Sequence, residues 1–338
     1  MSAPTLSAAT YLPEPTPGER ARSARVRLLL AVLAVALVAA LAAYLLVDLK
    51  GSLSYALSLR SRQAAALVVV GAAVGVSSLV FQTIAGSRIL TPGVMGFDSL
   101  YLLIQTMIVY LFGSSLLLAL RGPALFLVNV VAMSAFGLLL FRWLFRRSSR
   151  NLFVLVLVGM VCGSLFTSLA TFASRLLSPD DYLTLQDVMF ASFGRVNPQL
   201  LAVTAVVAVA GVILLIPLLR SLDAVDLGYD LAVGLGVPYH RVLTRTLIVV
   251  TVLVSTATAL VGPMIFLGLI VANLARQLVP TYQHTVLVWV AGIVGALCTV
   301  LGQLIVVHVF QQTTTLSVVV NLVGGIYFLV LLTRTARL

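Results

Sequence analysis

From about residue 28 onward, long apolar runs alternate with short polar stretches, most of them too brief to form domains of their own. Most runs are apolar all round rather than along one stripe, so their surroundings must be apolar on every side. A helix needs about twenty apolar residues to cross a bilayer core about 30 Å thick. Ten runs fit, at roughly 28–47, 63–84, 99–113, 123–141, 151–173, 199–219, 242–260, 263–276, 286–308 and 316–333. The third and eighth are short. The pattern predicts an all-α integral membrane protein with about ten transmembrane helices.

Two polar connections are long enough to fold. In 174–198, Ser178-Pro179-Asp180-Asp181 carries a helix start: a capping hydroxyl, proline in the first turn, then acids near the positive end of the dipole. The other, 220–241, has helical pieces broken by Gly228, Gly234, Gly236 and Pro238. Its residues fit either a short amphipathic helix at the membrane surface or a passive linker. Two apolar runs are themselves interrupted. In LTPGVMGFDSLYLLIQT (90–106), Pro92 and Gly93 turn the backbone, and Asp98 or Ser99 is placed to cap the next helix. In LVGPMIFLGLIVANLARQL (260–278), Gly262-Pro263 opens a short helix that Arg276 closes. Non-helical backbone at membrane depth is tolerated only inside protein or along a water-filled cavity. Each break therefore marks a buried turn or the wall of a path, and two breaks in corresponding places hint at an internal repeat.

Composition agrees with lipid as the solvent: of 338 residues, 61% are hydrophobic and 9% charged. A soluble domain carries about a quarter charged residues. The net charge of +11 does not point to nucleic acid, because the basic residues are dispersed in short loops. Lys50, Arg60, Arg62, Arg121, Arg175 and Arg195 fall on one side of the spans, and the rest of the 21 basic residues, including the 142–150 cluster RWLFRRSSR, on the other. The richer side is expected in the cytoplasm, which puts both termini inside and requires an even number of spans. Residues 1–27, rich in Pro, Ser and Ala and then basic, read as a disordered cytoplasmic tail before an uncleaved first span. Residues 28–338 read as a single transmembrane domain.

The chain shows none of the common hydrolase or nucleotide motifs. Lys50 is the only lysine and follows no glycine-rich loop, so ATP hydrolysis by a P-loop is excluded and any ATP-driven role needs a separate subunit. No catalytic residue, metal site or bound cofactor is expected. Cys162 and Cys298 lie in apolar runs and read as small hydrophobes. His240, His284 and His308 do not cluster, and each reads as a lone interfacial histidine. Asp98 is the one acid close to a span interior, which fits poorly with a proton-coupled carrier built on several mid-depth ionisable groups. Gln82, Gln105, Asn129, Asn273, Gln303 and Asn321 either line a path or hydrogen-bond between helices. Small residues, as in GAAVGVSS at 71–78, permit close helix packing.

The broken segments carry a resemblance. Gly262, Pro263, Phe266, Gly268, Leu269, Ala275 and Arg276 follow the form GP-x-x-F-x-GL-x-x-x-x-x-AR. With Pro92, Gly96, Phe97 and Asp98 in 81–106 and MFASFGRVN at 189–197, the chain from about Arg60 onward resembles the FecCD-type iron–siderophore permeases of ABC importers. Ala272-Asn273 replaces the family's commoner Pro-His and resembles the catecholate and petrobactin branch. The resemblance implies the type II ABC importer permease fold of the cobalamin permease, in a bacterial plasma membrane. It implies import of a ferric siderophore by alternating access, with a second, different permease chain, two ATP-binding subunits and an extracytoplasmic binding protein. Cobalamin, haem or another metal chelate is the alternative cargo.

By the same resemblance, Gly228, Asp230, Ala232, Leu235, Gly236 and Val237 couple to the ATPase. Arg60 and Arg62 meet the binding protein, and Arg195 stands in for a family arginine absent from the loop FQQTTTLS. The path is expected along Asn151, Ser164, Thr167 and Ser168 on the fifth span and Thr315, Ser317 and Asn321 on the tenth.

Overall fold

The computed structural model describes residues 17–47, 53–120, 122–147, 152–194 and 196–335. Thirteen α-helices and no strand occur among them. Helices α1 (Pro17–Leu46), α2 (Leu53–Ala85), α3 (Phe97–Leu120), α4 (Pro123–Arg147) and α5 (Leu152–Ser174) precede the short α6 (Pro179–Met189). Then come α7 (Pro198–Leu215), α8 (Leu219–Val225), α9 (Tyr229–Gly234), α10 (Tyr239–Val261), α11 (Leu267–Leu278), α12 (His284–His308) and α13 (Leu316–Thr335). Among the described residues, eight helices are long and apolar enough to cross a membrane, and α11 and α13 contribute shorter apolar stretches. Each of the ten apolar runs is therefore a helix. Helix α1 begins at Pro17, inside the stretch read as a disordered tail, because Glu, Arg and Ala in GERARSARVR are good helix formers.

The two short runs have local causes. Gly262, at φ 101°, ends α10, and Pro263 has no N–H to continue it. The remaining α11 has 12 residues, a length of about 18 Å, short of a bilayer core. In α3 the backbone kinks at Gly113 (φ 80°, ψ 165°), which is where the third run was expected to end. Helix α6 starts as its sequence predicts. Ser178 caps it through the Asp181 amide, and Asp181 also accepts the Ser114 N–H at 2.9 Å, satisfying a donor freed by the kink.

Helix α2 runs through the centre of the bundle and packs against α12, α10 and α11. Leu67, Leu79, Phe81 and Ile84 on it are fully buried. Its small residues let α12 approach: a Cβ on Gly71 would lie 2.5 Å from the Gly295 carbonyl oxygen, and one on Gly75 would strike Ala291. Thr299 Oγ1 donates across the same seam to the Leu67 carbonyl at 2.8 Å. Helix α5 is mostly exposed apart from its faces on α3 and the 92–95 turn, and α7 likewise has little buried surface. Lipid or another chain covers such faces.

Candidate translocation path and coupling surface

The two interrupted segments meet. After α2 the chain turns, makes a 3₁₀ turn at Pro92–Met95, and enters α3 through Gly96 at φ 95°. Gly96 lies against Gly163 of α5 so closely that a Cβ would sit 3.0 Å from the Gly163 Cα. In the second segment, Gly262 rests against Ala191, and Gly268 leaves no room for a Cβ beside the Ser78 hydroxyl. A cavity of about 20 Å³, room for one water, separates the breaks. Ser78, Thr91, Pro92, Gly93 and Asp98 line it from one side, and Thr258, Gly262, Met264, Ile265 and Gly268 from the other. Asp98 is 6% exposed, and it is the one charged side chain in that lining. Phe97 is buried and packs edge-on against Phe136, fixing the start of α3 on α4. The breaks are thus buried turns around a small pocket whose lining mixes apolar side chains with Ser78, Thr91, Asp98 and Thr258.

Residues 228–237 form a projecting helical turn. Gly228 (φ 100°) enters α9, Gly236 (φ 79°) leaves it, and Val237 N–H closes the turn on the Ala232 carbonyl at 3.1 Å. Ala232 faces inward with no exposure, whereas Leu227, Leu231, Val233 and Leu235 are 46–67% exposed. Exposed Asp226, Asp230, His240 and Arg241 surround these apolar tips, so the projection sits at a water boundary rather than in lipid. Tyr229 and Tyr239 stack edge-on at 5.0 Å and brace its base. Exposed apolar tips thus stand beside exposed charged side chains on one projection.

Of the expected binding-protein contacts, Arg60 and Arg62 lie in the N-terminal part of α2. Arg60 donates to the Tyr44 and Val47 carbonyls and so caps α1, while Arg62 is exposed. Arg195 lies outside the described residues, as does Asn151.

On α5, Ser164, Thr167 and Ser168 are exposed on one face, with Thr167 donating to Ser99 Oγ at 3.0 Å. On α13, Ser317 is buried and accepts the Ala191 N–H at 3.2 Å, and Thr315 lies 3.1 Å from it. Asn321 is half-buried, and its carbonyl oxygen has no partner among the described residues. Helix α5 packs on α3 and the 92–95 turn, and α13 on α11 and α12, so one chain does not bring the two sets together.

Several polar residues resolve into helix ties. Gln105 donates to Asn129 at 3.3 Å, joining α3 to α4, and Asn273 donates to the Arg88 carbonyl at 2.9 Å. Arg276 does not merely close its helix; it reaches Thr83 of α2. The lone-interfacial reading of His284 is corrected: it is fully buried and bonded to Asp223 at 2.7 Å. Asp223 and Thr83 were not singled out by sequence. The one signal available was an acid in the 220–241 loop and a histidine next to an apolar run.

The sequence model of the FecCD transport family matches residues 28–334. Over 291 residues the chain is 42% identical to the petrobactin import system permease protein YclO of Bacillus subtilis, covering 86% of this chain and 92% of that one. It is 34% identical to the petrobactin import system permease protein FatC of Bacillus anthracis, covering 81% and 77% of the two chains. The backbone superposes with a TM-score of 0.78 on a solved structure described as an inward-facing metal-chelate type ABC transporter, with 22% identity, covering 91% of this chain and 99% of that one.

Proposed function

We propose, from the premise that the chain belongs to the FecCD transport family, that it is one transmembrane permease subunit of an ATP-driven importer of ferric siderophores of the catecholate and petrobactin type. The observation that carries the ATP-driven part is the exposed knob of Leu227, Leu231, Val233 and Leu235 on a chain with no nucleotide site of its own. The similarity to two petrobactin permeases supports the cargo class.

In this reading the protein sits in a bacterial plasma membrane with both termini cytoplasmic. A binding protein outside delivers the chelate, with Arg62 among the charges that steer it. A second permease chain, of different sequence, covers the exposed faces of α5. The hydroxyls of Ser164, Thr167 and Ser168 and the amide of Asn321 then line a wall between the two chains. Two ATPase subunits grip the knobs, and their closure on ATP drives the change of access. The chain performs no chemistry: its work is to hold two arrangements of the broken helices and to move between them.

The test is uptake of radiolabelled ferric petrobactin by a strain lacking this gene, complemented with wild type or Gly236→Asp. Gly236 has a φ of 79° and open space around it, so the change strains the turn and puts a charge on the docking face. Wild type is expected to restore uptake, and Gly236→Asp to restore about a tenth or less while reaching the membrane in normal amount. Unchanged uptake in the deletion strain, with loss of haem or cobalamin uptake instead, would replace the cargo.

A further inference from the structure

His284 begins α12 with no solvent exposure. Its Nδ1 and its backbone N–H both donate to Asp223 Oδ1 at 2.7 Å, so the carboxylate fixes both the ring and the helix start. With Nδ1–H committed to Asp223, Nε2 is left to accept, and the Thr83 hydroxyl lies 2.7 Å from it. Thr83 Oγ1 in turn accepts from Arg276 Nη2 at 2.7 Å. Four side chains from four helices thus form an unbroken polar thread: Asp223 on α8, His284 on α12, Thr83 in the last turns of α2, and Arg276 at the end of α11.

The ends of the thread give it meaning. Asp223 is 24% exposed, on a helix that packs directly against α9 and its docking knob. Thr83 is on the last turn before the first break, and Arg276 is on the helix that follows the second. Asn273, one turn before Arg276, holds the Arg88 carbonyl and so ties α11 to the chain leaving α2. The thread therefore joins the knob to both interrupted segments around the Asp98 cavity. Apolar side chains would fill this space at least as stably. A hydrogen-bonded polar thread differs in being directional: losing one member strands its buried neighbours.

We infer that Asp223, His284, Thr83 and Arg276 form one hydrogen-bonded relay that passes movement of α8–α9 to α2 and α11, and so sets how much cargo moves per ATP hydrolysed. The four are positioning residues, and none touches cargo or nucleotide. The inference rests on the reading of α9 as the ATPase-docking surface.

The experiment uses the whole importer, with its ATPase and binding protein, in proteoliposomes. ATP hydrolysis and ferric petrobactin uptake are measured side by side for wild type, Thr83→Val, Thr83→Ser, Asp223→Ala and the Thr83→Val/Asp223→Ala double variant. Thr83→Val keeps the shape and removes the hydroxyl. It is expected to lower uptake per ATP about tenfold while hydrolysis persists. Thr83→Ser is expected to restore the wild-type ratio, which a loss of packing alone would not do. Because the relay acts as a unit, the double variant is expected to be no worse than the more severe single one. Wild-type uptake per ATP in Thr83→Val and Asp223→Ala, hydrolysis and uptake falling in parallel, or penalties that multiply in the double variant would each overturn the relay. Should Thr83→Val not assemble, the ratio in Asp223→Ala decides alone. If wild type imports no ferric chelate, the cargo reading fails separately. The relay is then decided by spin labels on Asp226→Cys and Val94→Cys, whose ATP-driven change in separation Thr83→Val must abolish.

Discussion

Asp181 shows how far one side chain's role extends beyond its own segment. Hydrogen bonds from the Ser114 hydroxyl, the Ser178 hydroxyl and the Ser114 amide hold its carboxyl below the usual carboxylate range. A depressed folded value means the bridge stabilises α6 against α3 at neutral pH and is lost as pH falls through that lowered value. Amide-exchange protection at Ser114 is therefore expected to be constant through neutral and weakly acidic pH and to drop only below the ordinary aspartate range. In Asp181→Ala, which removes the acceptor, protection is expected to be weak at every pH. The cap at Ser178 was legible because capping is local, within three residues. The bond to Ser114 was not, because 67 residues separate the partners and only the kink at Gly113 brings the amide into reach.

Elements were the most legible level. Runs of apolar residues long enough to span a bilayer, Pro at helix starts and Gly at helix ends placed each of the ten helices, because backbone polar groups in lipid have no partner except within the helix. Which helices touch was not legible. GAAVGVSS announced close packing on α2 but not that Gly71 meets Gly295 of α12. Gly71→Val is expected to destabilise the bundle by about 1–3 kcal/mol through overpacking, read as a lower melting temperature in detergent. Gly325→Ala, with nothing within 4 Å of a new Cβ, is the matched control and is expected to leave melting unchanged.

At the scale of the molecule, the two breaks and the Asp98 cavity discriminate between an ATP-driven importer and a proton-coupled carrier. A carrier would depend on the ionisable proton of Asp98. In the importer, Asp98 only packs against Gly93 in the turn before α3, and Asp98→Asn keeps that shape. Uptake by Asp98→Asn is expected to stay within about twofold of wild type and to remain dependent on ATP hydrolysis. Uptake that vanishes with Asp98→Asn, or that persists without the ATPase, would favour the carrier. The cavity itself was beyond sequence reasoning, since Ser78, Thr91, Asp98 and Thr258 are spread over three helices and a turn.

The sequence by itself determined what the bilayer demands: an all-helical chain, the number and order of its apolar helices, and the places where they break. These follow from local rules of length, hydropathy and capping. Tertiary structure alone decided which distant residues share a site. It turned His284 from an interfacial residue into the centre of a buried thread, assigned Arg60 to capping α1, and set the two breaks face to face. The reason is that polar atoms removed from water must find partners wherever the packing brings them, and no local pattern encodes a partner 201 residues away, as with Thr83 and His284.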